Sequence, residues 1–163
     1  NHKAGLPSGI KLKLNAITNF EMIEKLYEAS CEGVQIKMII RGICCLIPGV
    51  IGMSENIEVI SIVDKYLEHP RVYIFENGGT PSVYLSSADF MTRNIENRVE
   101  VAVPIYDDIL RKEILDVFEI SWNDNVKARK INGSKQNIFV KNNRNEIRSQ
   151  WKIHEYYYEK SCS

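Results

Sequence analysis

The chain has few of the residues that mark a metal centre or a membrane span. Its three histidines, His2, His69 and His154, lie far apart, and its four cysteines, Cys31, Cys44, Cys45 and Cys162, form no CxxC pair. A zinc site draws its ligands from closely paired positions, so this pattern excludes one. No apolar run approaches the roughly 20 residues that a membrane-crossing helix needs, and no signal peptide is evident. Charge of one sign is lacking too. Lys and Arg number 21 against 21 Asp and Glu, for a formal net charge of +0. There is then no broad field to gather nucleic acid or an anionic membrane, and any anion must be held locally. The cysteines read as reduced thiols of a cytosolic protein, with Cys44 and Cys45 on opposite faces of an expected strand. The first residue is Asn1 instead of Met, which reads as a piece of a longer protein.

What is present is an ordinary globular composition, 44% apolar and 26% charged over 163 residues. That length supports one domain with a proper core. IKLKL at Ile10–Leu14 alternates and suits a strand. Phe20, Ile23, Leu26 and Tyr27 recur at helical spacing, predicting a helix over Phe20–Cys31 with Thr18 or Asn19 as N-cap and Gly33 at its end. VQIKMII over Val34–Ile40 reads as a buried strand. This strand–helix–strand unit favours parallel pairing with a right-handed crossover. Ile43–Gly52 reads as a packed loop. Ser54 starts an expected helix, whose apolar stripe Ile57, Ile60, Val63 and Leu67 predicts helix over Ile57–Leu67. Strands are expected at Arg71–Phe75, Ser82–Ser86 and Arg98–Val103, the first two joined through Asn77-Gly78-Gly79. Asp107-Asp108 opens a further helix. Residues 123–163 read as a basic tail region with a closing helix over Ile147–Tyr158. The fold class is α/β, a mixed sheet flanked by helices.

The chemistry gathers around Tyr66–Glu100. Ligands in such sheets collect beyond the carboxyl ends of the strands, where Arg41 follows the second strand and Gly42 would let a ligand approach. His69 can accept a phosphoryl group or donate a proton near neutral pH. Arg71, Arg93 and Arg98 lie near expected strand ends, and guanidinium groups suit phosphate. Arg98 and Glu100, two apart on an expected strand, would share a face. Glu100 is the candidate carboxylate partner for a histidine, since Asp64 and Glu68 fall on the expected helix and its end. Ser86 and Ser87 could donate to phosphate oxygens. Each has a plainer reading, as a structural histidine, a surface ion pair or a polar strand end. Lys141, Arg144 and Arg148 could touch a polyanion, or form a solvated face.

IIRGICCLIPGV, SENIEVISIVDKYLEHPRVYIFENGG and VYLSSADFMTRNIENRVEV closely resemble the C-terminal domain of type 1 polyphosphate kinases, from KLKLNAI to about KARKI and more loosely to the end. The resemblance implies the second of two phospholipase D-like domains, covering residues 1–163. It implies an enzyme that moves the terminal phosphate of ATP reversibly onto inorganic polyphosphate, through a phosphohistidine in the preceding domain. His69 in LEHPR matches the second active-site histidine, and Arg41 in IIRG a phosphate-binding arginine. Arg98 and Glu100 in NRVEV match a motif arginine and the carboxylate that supports the histidine pair. Ser86 and Ser87 stand where phospholipase D-like motifs carry a Gly-Ser or Ser-Ser pair. Also implied are Mg2+ held mainly by residues outside this chain, ATP or ADP and polyphosphate as ligands, and a homo-oligomer. A cytoplasmic location with room for peripheral membrane association follows too, and nucleic acid is not a partner. Two rivals stay open. One is a phospholipase D-like phosphodiesterase with His69 as nucleophile and Arg71 in place of a lysine. The other is a polyphosphate-binding module without chemistry.

Overall fold

The computed structural model describes residues 1–133, 138–142 and 145–162. Eight strands form one mixed sheet among them: β1 (Gly9–Leu14), β2 (Gln35–Ile40), β3 (Ile57–Ile62), β4 (Arg71–Phe75), β5 (Ser82–Ser86), β6 (Ala102–Pro104), β7 (Ala128–Ile131) and β8 (Ile138–Phe139). Their spatial order is β6-β5-β4-β1-β2-β3-β7-β8. The central β1, β2 and β3 run parallel, and every other pairing is antiparallel. The helices are α1 (Phe20–Cys31), α2 (Thr92–Glu96), α3 (Asp108–Trp122) and α4 (Ser149–Ser161).

The strand period of two sorts the core into two layers. Leu12, Leu14, Met38, Ile40, Ile57 and Val59 pack with Ile23 and Leu26 of α1 on one face. Ile39, Ile60, Val72, Ile74 and Val83 pack with Phe118 of α3 on the other. The lysines of IKLKL lie on the α3 side. Lys11 reaches Glu119 and Glu76, and Lys13, only 9% exposed, reaches Glu68 at 2.5 Å and Ser121 at 3.4 Å. Their aliphatic stems cover apolar surface while carboxylates meet the charged tips. Helix α1 starts where expected, with Asn19 accepting from the Met22 N–H at 3.0 Å, and ends before Gly33 at φ 93°. The Asn77–Gly79 turn holds three successive positive φ angles, 45°, 73° and 104°.

The structure corrects four expectations. Residues 57–62 form β3, parallel to β2, and no helix covers 57–67. Ile57, Val59, Ile60, Ile62 and Val63 are β-branched and suit a strand buried on both faces, where helical spacing and continuous apolarity cannot be told apart. Ser54 closes the preceding loop, donating to the Ile47 carbonyl at 2.6 Å and accepting from the Val50 N–H at 3.0 Å. Asp64 and Glu68 therefore belong to the loop after β3. Cys44 and Cys45 lie in the loop expected over Ile43–Gly52 and not on a strand. Cys44 bridges to Ile17 and is half-buried, with burial pushing its thiol up to about 11, whereas Cys45 is exposed. The sixth strand covers only Ala102–Pro104, so Arg98 and Glu100 precede it.

The fourth correction concerns the basic tail, which is part of the fold. β7 pairs with β3 from Val59↔Ile131 to Ile62↔Ala128. The fully buried Asp124 directs it: one carboxylate oxygen accepts from the N–H groups of Val126, Lys127 and Ala128, the other from Ser149 at the start of α4. Arg144 lies outside the described residues. Asp124→Ala is expected to lower stability by about 3 kcal/mol, since four N–H donors, those of Ala128 and Ser149 buried, lose their acceptor; a urea titration that leaves the midpoint unmoved would show that water replaces the carboxylate.

Candidate functional site

The parallel strands all end at one edge of the sheet, and the antiparallel ones bring their matching ends to it. Leu14 pairs with Ile40, Lys13 with Val72, Arg71 with Ser86, and Ser86 with Ala102. Asn15, Arg41, His69, Arg71, Ser86, Ser87, Asp89 and Glu100 are thereby carried to that edge from separate parts of the chain.

Arg41 continues β2 and is half-buried. Its Nε and one terminal nitrogen donate to Asn15 Oδ1 at 2.9 and 2.5 Å, and its other terminal nitrogen donates to the Glu68 carbonyl at 3.0 Å. Of the five N–H groups of a guanidinium, three are used and two remain for a ligand. Gly42 serves the backbone and not ligand access: a Cβ there would stand 3.0 Å from the Asn15 carbonyl oxygen.

His69 lies on the loop between β3 and β4, exposed, its imidazole without a hydrogen bond among the described residues. The loop itself is tightly held. Arg148 makes a two-pronged bond to Asp64 at 2.8 and 2.6 Å. Gln150 exchanges hydrogen bonds with the Tyr66 backbone at 3.0 and 2.8 Å and donates to Glu68 at 3.0 Å. The hydrogen bond from Arg148 keeps the Asp64 carboxyl below its ordinary range despite burial. Helix α4 thus fixes the histidine loop from outside.

Arg71 donates to the His69 carbonyl at 3.3 Å and to Asp89 Oδ2 at 2.6 Å; its Nε is buried with no hydrogen-bond partner among the described residues. Asp89, 2% exposed, also accepts through Oδ1 from the N–H groups of Asn15 at 2.7 Å and Ala16 at 3.1 Å. Burial alone would raise the Asp89 pKa. The Arg71 hydrogen bond and the two N–H donors outweigh it, and the carboxyl sits below its ordinary value.

Ser86, Ser87 and Glu100 are occupied with one another's surroundings. Ser86 Oγ donates to the Val101 carbonyl at 3.1 Å and accepts from the Ala88 N–H at 3.0 Å. Ser87 Oγ donates to Glu100 Oε2 and accepts from the Val101 N–H at 3.0 Å. Asn94 holds Glu100 Oε1 at 2.6 Å. Hydrogen bonds from Ser87, then Asn94, keep the Glu100 carboxyl below its usual range. Both serine hydroxyl protons are therefore committed within the chain, and the serines brace the approach to β6. Among the described residues Glu100 orients Ser87 and Asn94 and is hydrogen-bonded to no histidine. Arg98 is exposed and makes no hydrogen bond among the described residues, so it and Glu100 do not present one strand face. Lys141 is exposed as well, whereas Arg148, read as a polyanion contact, is bound to Asp64.

Asn15 and Asp89 are not among the residues that the sequence pattern singles out. An Asx residue at the carboxyl end of a central parallel strand was the available signal. Cavities of about 820 and 680 Å3 lie elsewhere, on the α1 surface and at the opposite strand ends near Gly9, Phe75 and Tyr84. Size draws attention to them, but the convergence of charged groups is at the His69 edge.

The Asp89 carboxyl sets an acid limit. Its folded-state pKa is depressed, so its contribution is complete above the ordinary aspartate value and is lost as pH falls through the folded one. Asp89→Asn is expected to cost about 3 kcal/mol at pH 7, because it leaves Arg71 buried without its counter-charge. The variant's stability should also vary less with pH below about 4 than that of the wild type. Parallel stability curves in that acid range would show that Asp89 is not the group responsible.

Known proteins share this sequence and fold. Residues 1–150 match the family model described as polyphosphate kinase C-terminal domain 2. The chain is 52% identical over 157 residues to a polyphosphate kinase of Escherichia coli K12, and 50% identical over 157 residues to one of Vibrio cholerae. Each alignment covers 96% of this chain, and 23% and 22% of those proteins. The crystal structure of polyphosphate kinase from Porphyromonas gingivalis superposes with a TM-score of 0.94 at 45% identity, over 97% of this chain and 24% of that one. Nuc, a phospholipase D family member from Salmonella typhimurium, shares the fold at a TM-score of 0.59 and 19% identity, over 77% of this chain and 83% of its own. The chain spans about a quarter of the length of the polyphosphate kinases it matches, and it belongs to the family of polyphosphate kinase C-terminal domains.

Proposed function

We propose that this chain is the phosphate-gathering half of a polyphosphate kinase site, in which the terminal phosphate of ATP passes reversibly to inorganic polyphosphate through a phosphohistidine supplied by a preceding domain. The observation that carries the reading is the joint presentation of Arg41 and His69 at one open edge. Arg41 offers two spare N–H groups in a fixed orientation, and His69 offers an unencumbered imidazole. Phosphoryl transfer depends on positive charge and donors held around the equatorial oxygens. Arg41 binds a nucleotide or polyphosphate oxygen. His69 hydrogen-bonds the transferring group or protonates the leaving oxygen, and the exposed Arg98 adds charge. Glu100 stays ionised, and each of its oxygens keeps a further lone pair for an imidazole N–H from the preceding domain.

Magnesium is proposed to enter with the nucleotide phosphates, held mainly by residues outside this chain. The carboxylates at this edge do not fit a resident ion. Asp89 is bound to Arg71, Glu68 to Lys13, and Glu100 to Ser87 and Asn94, and among the described residues no group of three potential ligands converges. Oligomerisation and a cytoplasmic location are read from the family resemblance. Any membrane contact is peripheral in this reading, and among the described residues no helix is long and apolar enough to cross a membrane. The phosphodiesterase rival fits less well, because Arg71, in the place of its lysine, is committed to Asp89 and the His69 carbonyl.

In the intact enzyme, Arg41→Ala and His69→Ala should each cut ATP-to-polyphosphate transfer by about 100-fold or more while both variants stay folded. Near-normal turnover by either variant overturns the reading. The chain alone, incubated with magnesium and ATP labelled at the γ-phosphate, should acquire no acid-labile label. Label that disappears in His69→Ala would reassign His69 as the nucleophile.

A further inference from the structure

We propose that Asn15, held by Asp89, is a positioning residue that sets Arg41 and His69 in a single frame for phosphate. This rests on the reading of Arg41 and His69 given above. The hydrogen bonds form a closed circuit. From His69 the path runs through its carbonyl to Arg71, from Arg71 to Asp89, and from Asp89 Oδ1 to the Asn15 N–H. Asn15 Oδ1 then takes two N–H groups of Arg41, and Arg41 returns to the carbonyl of Glu68, the neighbour of His69 in sequence. Asn15 is the crossing point. Its N–H is fixed by Asp89, its carbonyl accepts from the Gly42 N–H at 2.8 Å, and its side chain holds Arg41. A shift of β1 against β2 or β4 would move both phosphate-facing groups, and the circuit opposes it.

The residue type matters. An amide oxygen orients a guanidinium while leaving its full positive charge available. A carboxylate in the same place would hold the guanidinium as well or better, but would cancel the charge that a phosphate must meet. The buried carboxylate of the circuit, Asp89, is placed one step back on Arg71. The two arginines thereby divide the work: Arg71 is neutralised and structural, and Arg41 keeps its charge.

The test uses the intact enzyme with Asn15→Ala and Asn15→Asp. Both keep the backbone N–H and carbonyl that Asp89 and Gly42 engage. Asn15→Ala frees the Arg41 side chain and should lower kcat/KM for ATP about 10- to 100-fold, as misplacement of a binding group does. Asn15→Asp keeps the acceptor and should melt like the wild type, yet raise KM for ATP at least about tenfold through the lost charge. A merely structural role predicts an Asn15→Asp enzyme with wild-type KM, and that result overturns the proposal, as does wild-type kcat/KM in Asn15→Ala. Arg41→Ala is run beside them. If it is fully active the site reading itself fails, whereas an inactive Arg41→Ala beside a normal Asn15→Ala rejects only the role of Asn15.

Discussion

The site depends on one buried carboxylate. Asp89 accepts from two backbone N–H groups where β1 leaves the sheet and pairs with a guanidinium at the start of β4. A charge so enclosed is tolerated because two N–H donors and a guanidinium meet its oxygens. That requirement runs both ways, and the donors must be in place for the charge to persist. Asp89 therefore welds β5, β1 and β4 at the edge where the candidate ligand groups stand. A second buried carboxylate, Asp124, does comparable work on the far side, joining the start of β7 to the start of α4. Through α4, Arg148 and Gln150 then grip the loop that carries His69. The histidine is exposed, but its loop is anchored at both flanks.

This arrangement is open. The edge presents charge without enclosing it, with His69 and Arg98 exposed and Arg41 half-buried. Ser86 and Ser87 brace the approach to β6, and Ser87 with Asn94 holds Glu100, so both serine hydroxyl protons are spent within the chain. The contrast between the two arginines shows how one residue type is put to two uses. Arg71 is locked by a carboxylate, and Arg41 is aimed by an amide and a carbonyl.

Much of the fold was legible in the sequence because local signals agreed. The α1 boundaries followed from a cap at Thr18 or Asn19, helical spacing and a following glycine, and the structure gives the cap to Asn19. Strands β1, β4 and β5 followed from alternation and turn glycines, and the parallel β1–β2 pair from a helix of suitable length between them. The misread segments share a cause, since each is decided by distant partners. Residues 57–62 carry an apolar spacing compatible with helix or strand, and only the slot beside β2 chooses. Residues 128–131 are too polar to announce a strand, yet β3 offers an edge and Asp124 starts them toward it. Residues 98–101 have strand-like alternation, but Glu100 is drawn to Ser87 and Asn94, and the ladder begins at Ala102.

By itself the sequence determined the α/β class, the position of Arg41 beyond the end of β2 and the presence of His69 just before the strand at Arg71–Phe75. Those properties rest on periodicity, chain connectivity and residue chemistry, all of which are local. Only the tertiary structure decided which charges are free and which are spent. Arg41 and Arg71 are both arginines near strand ends, and nothing local distinguishes them. What separates them is the partner brought from far along the chain, the Asn15 amide for one and the Asp89 carboxylate for the other. A side chain's available charge is set by its neighbours in space, because electrostatic and hydrogen-bond energies fall off with distance and take no account of separation along the chain.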